Sequence, residues 1–399
     1  MRGPYLLELK ESEELLMMYE KIGCDPGGSR IMLSKAKIYP LLIKDLKSPA
    51  ANILKQHMLS LGGEAVVPRW VINNSQTTAD VLLLGTIKEY GLLTEKLRQQ
   101  PWGLPDLSQK ISDLVRNLSK SKGLLWEWAD GKKLELGRGT KVMGILNITP
   151  DSFSDGGQYF TPQKALERAQ AMVAEGADVI DVGGESTRPN SQPITAEEEL
   201  ERLKPVLELL VKELPVPVSL DTYKAEVAAA GLELGVHIIN DVGGGMRDPK
   251  MAEVVGKYQC PVIAMHNPVA NSGDLYPYTD VVADVVDSLL ASQNAFKQAG
   301  LEESKICLDP GIGFGKTVEQ NLSLIKHIRA LQNLGSPVLL AVSRKGFIGR
   351  VLDTEVTDRL EGSLAVAVWA TTQGVDLLRV HDVQQTVRTI KMTEAILER

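Results

Sequence analysis

From Lys141 to the C-terminus, short apolar runs rich in Val, Ile and Leu alternate with longer stretches of helical period. The runs predict eight strands, at 141–148, 178–184, 217–222, 237–243, 261–267, 306–311, 337–343 and 375–382. The stretches between them read as amphipathic helices with recognisable ends. Thr161 precedes Pro162, and Thr195 precedes an acidic first turn, as capped N-termini do, while Gly176, Gly235, Gly300 and Gly335 stand where left-handed C-terminal caps fall. Eight βα units in this length match the roughly 250 residues of a (β/α)8 barrel. An open, doubly wound sheet is the competing architecture. Closure is favoured by the count and by the polar residues, which stand at one strand end in unit after unit: Asn147, Gly183 to Arg188, Asp221, Asn240, His266, Asp309, Ser343 to Lys345, Arg379 and His381.

Residues 1–137 have a different pattern and predict a small α+β domain, with the barrel occupying 138–399. A strand is expected near 5–10, a turn at Asp25–Gly28, a helix over 48–61 capped by Ser48 and stopped at Gly62, strands at 64–72 and 79–87, and a helix over 106–121. The polar, Gly-containing stretch 129–141 reads as the linker. The fold class is therefore α/β, a TIM barrel preceded by a small α+β domain.

Composition narrows the partners. A net charge of −7 gives no broad basic surface for nucleic acid or an anionic membrane. Three widely spaced cysteines, Cys24, Cys260 and Cys307, suit neither a disulfide framework nor a zinc site and fit a reducing cytoplasm. No apolar run reaches the ~18 residues of a membrane helix, and the N-terminus lacks the features of a signal peptide.

The candidate chemistry lies at the predicted strand exits. Carboxylates at Asp221 and Asp309 and the amide of Asn240 are placed to pair with the N–H edge of a flat heterocycle. Ser186, Thr187, Arg188, Arg344, Lys345, Arg379 and His381 supply donors suited to a phosphate or diphosphate. GIGFGKT at 311–317 is neither a Walker A loop, since Pro310 stands where the first Gly is needed, nor a dinucleotide fingerprint, since Lys316 stands where the third would fall. It reads as a loop that lets backbone approach a ligand. The five histidines have no zinc spacing, whereas Mg²⁺ held mainly by substrate phosphates is compatible with the residues.

In this order and spacing, NITPDSFSDGG, GGESTRP, IINDV, DPGIGFGK, SRKGFIG and RVHD make residues 141–399 resemble dihydropteroate synthase. The resemblance implies a homodimeric TIM-barrel transferase that joins p-aminobenzoate to 6-hydroxymethyl-7,8-dihydropterin pyrophosphate. It implies that Asp221, Asn240, Asp309 and Lys345 hold the pterin beside Met265 and Phe314. It further implies that Asn147 contacts Mg²⁺ and that Thr187, Arg379 and His381 hold the diphosphate. Loops bearing Asp151, Phe153, Asp155, Thr187 and Pro189 would close the p-aminobenzoate pocket. Lys345, Asp151 and Asp155 are the expected catalytic residues. The chain departs from the family after His266 and at Asn190, and residues 1–137 carry no part of the resemblance. A methyltransferase acting on methyltetrahydrofolate through a similar pterin-holding barrel is the rival activity, and it leaves SRKG and RVHD unexplained. A non-catalytic partner that retains the barrel is a third reading, which the intact polar ring opposes.

Overall fold

The computed structural model describes Leu7, Leu9, 12–119, 123–148, 161–185, 192–269 and 274–397. The chain forms two compact units, 1–120 and 121–399.

In the first unit, an antiparallel sheet has Thr78–Gly85 at its centre between Tyr39–Lys47 and Glu64–Val66. Alternation along the central strand turns Ala79, Val81 and Leu83 inward, where they meet Leu54, Met58, Tyr90, Leu93 and Leu97 of the helices Ser48–Ser60 and Ile87–Leu97. Three expectations change here. Asp25 does not open a turn: its carboxylate accepts from the Gly27 and Gly28 N–H groups and caps the helix Pro26–Leu33. Ser48 is no cap, because its buried hydroxyl donates to the Gln76 carbonyl. The 64–72 run is a strand only over Glu64–Val66, and after Pro68, which has no N–H for a ladder, the chain forms a 3-10 turn over Arg69–Val71. The strand expected at 5–10 lies mostly outside the described residues.

In the second unit, eight parallel strands follow the predicted order: β1 Lys141–Asn147, β2 Val179–Gly183, β3 Val218–Asp221, β4 Ile238–Asp241, β5 Val262–Met265, β6 Ile306–Asp309, β7 Leu339–Ala341 and β8 Leu377–Val380. Each pairs with its sequence neighbour, β8 pairs with β1, and a bridge between Leu308 and Val338 joins β6 to β7, so the ring closes. Helices cover the outside, among them Pro162–Glu175, capped by Thr161 and ended by Gly176 at φ +106°, and Ala196–Glu213, which opens on a capping box of Thr195 and Glu198.

The strands bury both faces in two distinct ways. One face packs against the helices through residues such as Val142, Ile180, Val182, Leu220, Leu308 and Leu340. The other fills the barrel with Met143, Val179, Ile238, Ile263, Cys307, Leu339 and Leu377. The interior layer is completed by Trp126, Leu134 and Leu136 of an antiparallel hairpin, Leu124–Glu127 with Lys133–Leu136. Trp126 donates to the Ser304 carbonyl and Trp128 to that of His237, which fixes the hairpin at the N-terminal ends of the strands. The stretch expected as a linker over 129–141 is thus part of the barrel unit. It closes the bottom of the barrel and leaves the C-terminal mouth to the polar residues.

Candidate active site

The strands have a two-residue period, so the apolar floor of the barrel sets the phase for the layers above it. Two residues beyond Val179 comes Asp181, beyond Ile238 comes Asn240, beyond Ile263 comes Met265, beyond Cys307 comes Asp309, and beyond Leu377 comes Arg379. Strand register sets Asn147 beside Gly183, Gly183 beside Asp221, Asp221 beside Asn240, and Met265 beside Asp309.

A charged network crosses this layer. Arg379 Nε donates to Asp181 Oδ2 at 2.6 Å, and its Nη2 donates to Asp221 Oδ2 at 2.7 Å. Asn240 Nδ2 donates to the same Asp181 oxygen at 3.1 Å. Burial disfavours the guanidinium, but the two carboxylates outweigh it, so Arg379 holds its proton more firmly than a free arginine. Burial is also the main influence on Asp221, pushing its carboxyl up despite Arg379. Oδ1 of Asp181 and Oδ1 of Asp221 are buried and take no hydrogen bond from the described residues. Such acceptors suit N–H donors of a bound ring.

On the opposite strands, Asp309 is buried, and its Oδ1 accepts from Gly311 N–H at 2.8 Å. Lys345 Nζ lies 4.5 Å from the centroid of the Phe314 ring, over its face. Burial lowers Lys345 to about 8, with Asp309 opposing the shift. Neighbouring Arg344, at φ +57°, is turned to Asp382 in a two-pronged pair that ties the β7 and β8 exits together. Of the two cations read from SRKG, Lys345 therefore faces Phe314 while Arg344 acts as a clip. His381 donates its backbone N–H to Ser343 Oγ, and its ring is kept neutral by burial and by Arg379, with its pKa lowered to about 4.

The structure thus brings Asp221, Asn240, Asp309, Met265, Phe314, Lys345, Arg379 and His381 to the exits of the barrel strands, with Asn147 beside Gly183. Asp151, Phe153, Asp155, Thr187 and Pro189 lie outside the described residues. Three functional candidates were missed in the sequence. Asp181 stands mid-strand in an apolar run, and the signal was a lone charge that could only point inward. Lys224, between Glu185 and Glu199 at 2.5 Å from each, anchors the residue at which the described part of the β2 exit ends. Lys316 is buried against His266.

A fit to Mg²⁺ can be judged from the donors. Among the described residues no group of three His, Cys, Asp or Glu side chains could hold a metal ion. A Cβ at Gly183 would lie 3.8 Å from Asn147 Oδ1 and 3.6 Å from Asp221 Oδ2, so a neutral amide oxygen and a carboxylate flank one glycine. The carboxylate oxygen is taken by Arg379, which leaves the Asn147 amide oxygen, a donor that fits a hard ion held mainly by substrate oxygens.

The family model of pterin binding enzymes matches residues 143–381. A dihydropteroate synthase of Bacillus subtilis is 48% identical over 261 residues, 65% of this chain and 90% of the relative. A probable bifunctional folylpolyglutamate synthase/dihydropteroate synthase of Halobacterium salinarum is 38% identical over 386 residues, 94% of this chain and 45% of the relative. Among solved structures, a dihydropteroate synthase of Clostridium difficile in the presence of pteroic acid is 44% identical, with a TM-score of 0.64 over 67% of this chain and 100% of that one. Barrel, polar ring and relatives agree that the chain belongs to the pterin binding enzymes and, within them, to the dihydropteroate synthases.

Proposed function

We propose that the chain condenses p-aminobenzoate with 6-hydroxymethyl-7,8-dihydropterin pyrophosphate to give 7,8-dihydropteroate and pyrophosphate. The observation that carries this reading is the set of Asp221, Asn240, Asp309 and Lys345 at one barrel mouth in a chain 48% identical to a dihydropteroate synthase. Asp221 and Asp309 accept from the ring N–H and amino groups of the pterin, Asn240 both donates and accepts, and Lys345 donates to the ring's acceptor edge. Met265 and Phe314 flank the ring. Arg379 has five N–H donors, two of which are used by Asp181 and Asp221, and the rest serve the diphosphate with Thr187 and His381.

The diphosphate leaves first, because the electron-rich dihydropterin supports a methylene cation. p-Aminobenzoate then attacks through an amine that is already neutral, and the ammonium formed on its nitrogen gives a proton to the departed pyrophosphate, so positioning matters more than a strong base. Asp151 and Asp155 stabilise the cation or assemble the closed loop. Asn147 would offer its amide oxygen to Mg²⁺, which when bound neutralises charge on the departing diphosphate.

We also propose a homodimer. Val351, Leu352, Val356, Val368 and Trp369 are exposed apolar residues on and between the consecutive helices Gly346–Leu352 and Leu360–Thr372, a composition suited to a two-fold contact. Cys24, Cys260 and Cys307 are unbridged, in keeping with a cytoplasmic location, and no described helix is long and apolar enough to cross a membrane.

The test is a coupling assay on the full chain with pterin pyrophosphate, p-aminobenzoate and Mg²⁺. Dihydropteroate and pyrophosphate should appear in equal amounts. Turnover only with methyltetrahydrofolate and a corrinoid acceptor would overturn the reading in favour of the methyltransferase.

A further inference from the structure

We infer that Lys316 is a positioning residue of the pterin site: its ammonium staples the loop after β6 to His266 and thereby holds Asp309 and Phe314. The inference rests on the proposed role of those two residues as pterin contacts.

The geometry around Lys316 is complete. Its Nζ donates to His266 Nδ1 at 3.0 Å, to the Gly311 carbonyl at 2.9 Å and to the Phe314 carbonyl at 3.0 Å, so three donors meet three acceptors. The residue is 6% exposed and, among the described residues, has no carboxylate within ion-pair distance. A buried ammonium is costly unless its donors are all used, and a lysine serving only to fill space would be a poor choice there. The loop needs such a tie. Gly311, Gly313 and Gly315 all adopt positive φ, a conformation with high entropy in the unfolded chain. The Lys316 bonds run to carbonyls on both sides of the turn. Gly311 in turn donates to Asp309, and Phe314 carries the ring beneath Lys345. Asn321 completes the brace, accepting from Gly313 N–H and donating to the Lys316 carbonyl.

In its ammonium form Lys316 can only donate, so His266 Nδ1 then accepts and the ring is neutral with its proton on Nε2. Burial lowers His266 to about 3, and the Lys316 charge lowers it further within that shift. Charge is the second means by which Lys316 acts. Asp309 is raised by burial, while Lys345, Arg379 and Lys316 each oppose the rise. Lys316 itself faces Asp309, Lys345, His266 and the Tyr278 ring, and burial lowers it to about 7 with Asp309 opposing the shift, so its charge is fully present below that pH and fades above it. Removing its charge raises the Asp309 pKa further, so the carboxylate acceptor is lost at a higher pH.

The experiment measures equilibrium binding of 6-hydroxymethylpterin pyrophosphate, and steady-state kinetics, across pH for the full chain and for K316M and K316Q. The ¹⁵N-histidine spectrum of the wild type is recorded in parallel. K316M should bind roughly 10-fold to 100-fold more weakly, the loss expected for charge-assisted hydrogen bonds, with KM for the pterin rising and kcat changing by less than about threefold. K316Q keeps amide donors but no charge. It should recover much of the affinity at high pH, while its acid limb stays displaced upward. A purely structural role would not separate loop and charge in this way. Binding by K316M within about twofold of wild type, with an unmoved acid limb, would overturn the inference, as would a wild-type His266 protonated on Nδ1. The spectrum and K316Q decide the matter if K316M does not fold. Absence of turnover in the wild type would instead count against the synthase reading, since neither binding nor the histidine signal depends on it.

Discussion

Arg379 Nε lies 2.6 Å from Asp181 Oδ2 inside the barrel, on strands far apart in sequence and close around the ring. Asp181 is fully buried, and the guanidinium it holds is shared with Asp221. Truncating Asp181 leaves part of a buried positive charge uncompensated, which costs about 3 kcal/mol or more. D181A should therefore lower unfolding stability by about that amount in urea titrations. The double variant D181A/R379M should lose less than the sum of the two single variants, a coupling beyond about 1 kcal/mol. Additive effects would mean that the pair is not a working unit.

The alkaline limb of the reaction follows from Lys345. Its pKa is lowered to about 8, chiefly by burial. Below that pH it is an ammonium donor, and above it the neutral amine loses the charge, so kcat/KM for the pterin substrate should fall as pH rises through about 8. K345R carries a charge that persists at all working pH, so its residual activity should lose the fall centred near 8 and keep only the decline through about 7 that comes from Lys316. K345M should lose roughly 10-fold to 100-fold in kcat/KM, the magnitude of one charged hydrogen bond. A wild-type profile that stays flat to pH ~9.5 would exclude Lys345 as the titrating group.

Much of this site was legible in the sequence because strand ends announce themselves. Asp221, Asn240 and Asp309 each close an apolar run, and a polar residue at such a point has few places to face other than the barrel mouth. Asp181 was hidden by the same logic, since it lies inside its run, and only the inward phase set by Val179 exposes it. Lys316 was hidden for another reason. Its partner His266 is 50 residues away, and the glycines around it drew attention to nucleotide motifs that do not fit. The second strand of the hairpin, Lys133–Leu136, fell within the stretch 129–141 that reads as a linker, because four strand residues among several charges and glycines carry little periodicity. The burial of Trp126 depends on a barrel floor assembled from strands spread along the rest of the chain, from Met143 to Leu377, and on the distant Ser304 carbonyl.

Gly311 tests the close packing of the β5 and β6 exits. It sits at φ +65°, and a Cβ there would come within 1.9 Å of the His266 carbonyl oxygen, which is backbone and cannot swing away. G311A should cost at least about 2 kcal/mol through strain and clash together. It should also weaken pterin binding, because Asp309 takes its hydrogen bond from Gly311 N–H. Gly300 has φ +88° but nothing within 4 Å, so G300A should cost only about 1 kcal/mol and leave binding unchanged. Thermal melts and pterin titrations on both variants check the contrast. Equal losses would show that conformation alone, and not the approach to His266, governs position 311.

The hairpin makes the choice of truncation point decisive. Cutting at 138, where the sequence alone divides the chain, removes Trp126, Leu134 and Leu136 from the barrel interior and exposes Met143, Val179, Ile238, Ile263 and Leu377 beneath them. Deleting one large buried side chain from a core costs about 3–5 kcal/mol, and here three are lost together, against a total stability of about 5–15 kcal/mol. The 138–399 chain should therefore be insoluble or molten. The 121–399 chain keeps the hairpin with its Trp126 to Ser304 and Trp128 to His237 hydrogen bonds, and should give a single cooperative transition. Within 121–399, W126A should lower the midpoint of that transition while leaving KM for the pterin substrate within about twofold, since the plug and the mouth occupy opposite ends of the strands. A 138–399 chain that unfolds as cooperatively as the longer one would show that the barrel seals its own floor.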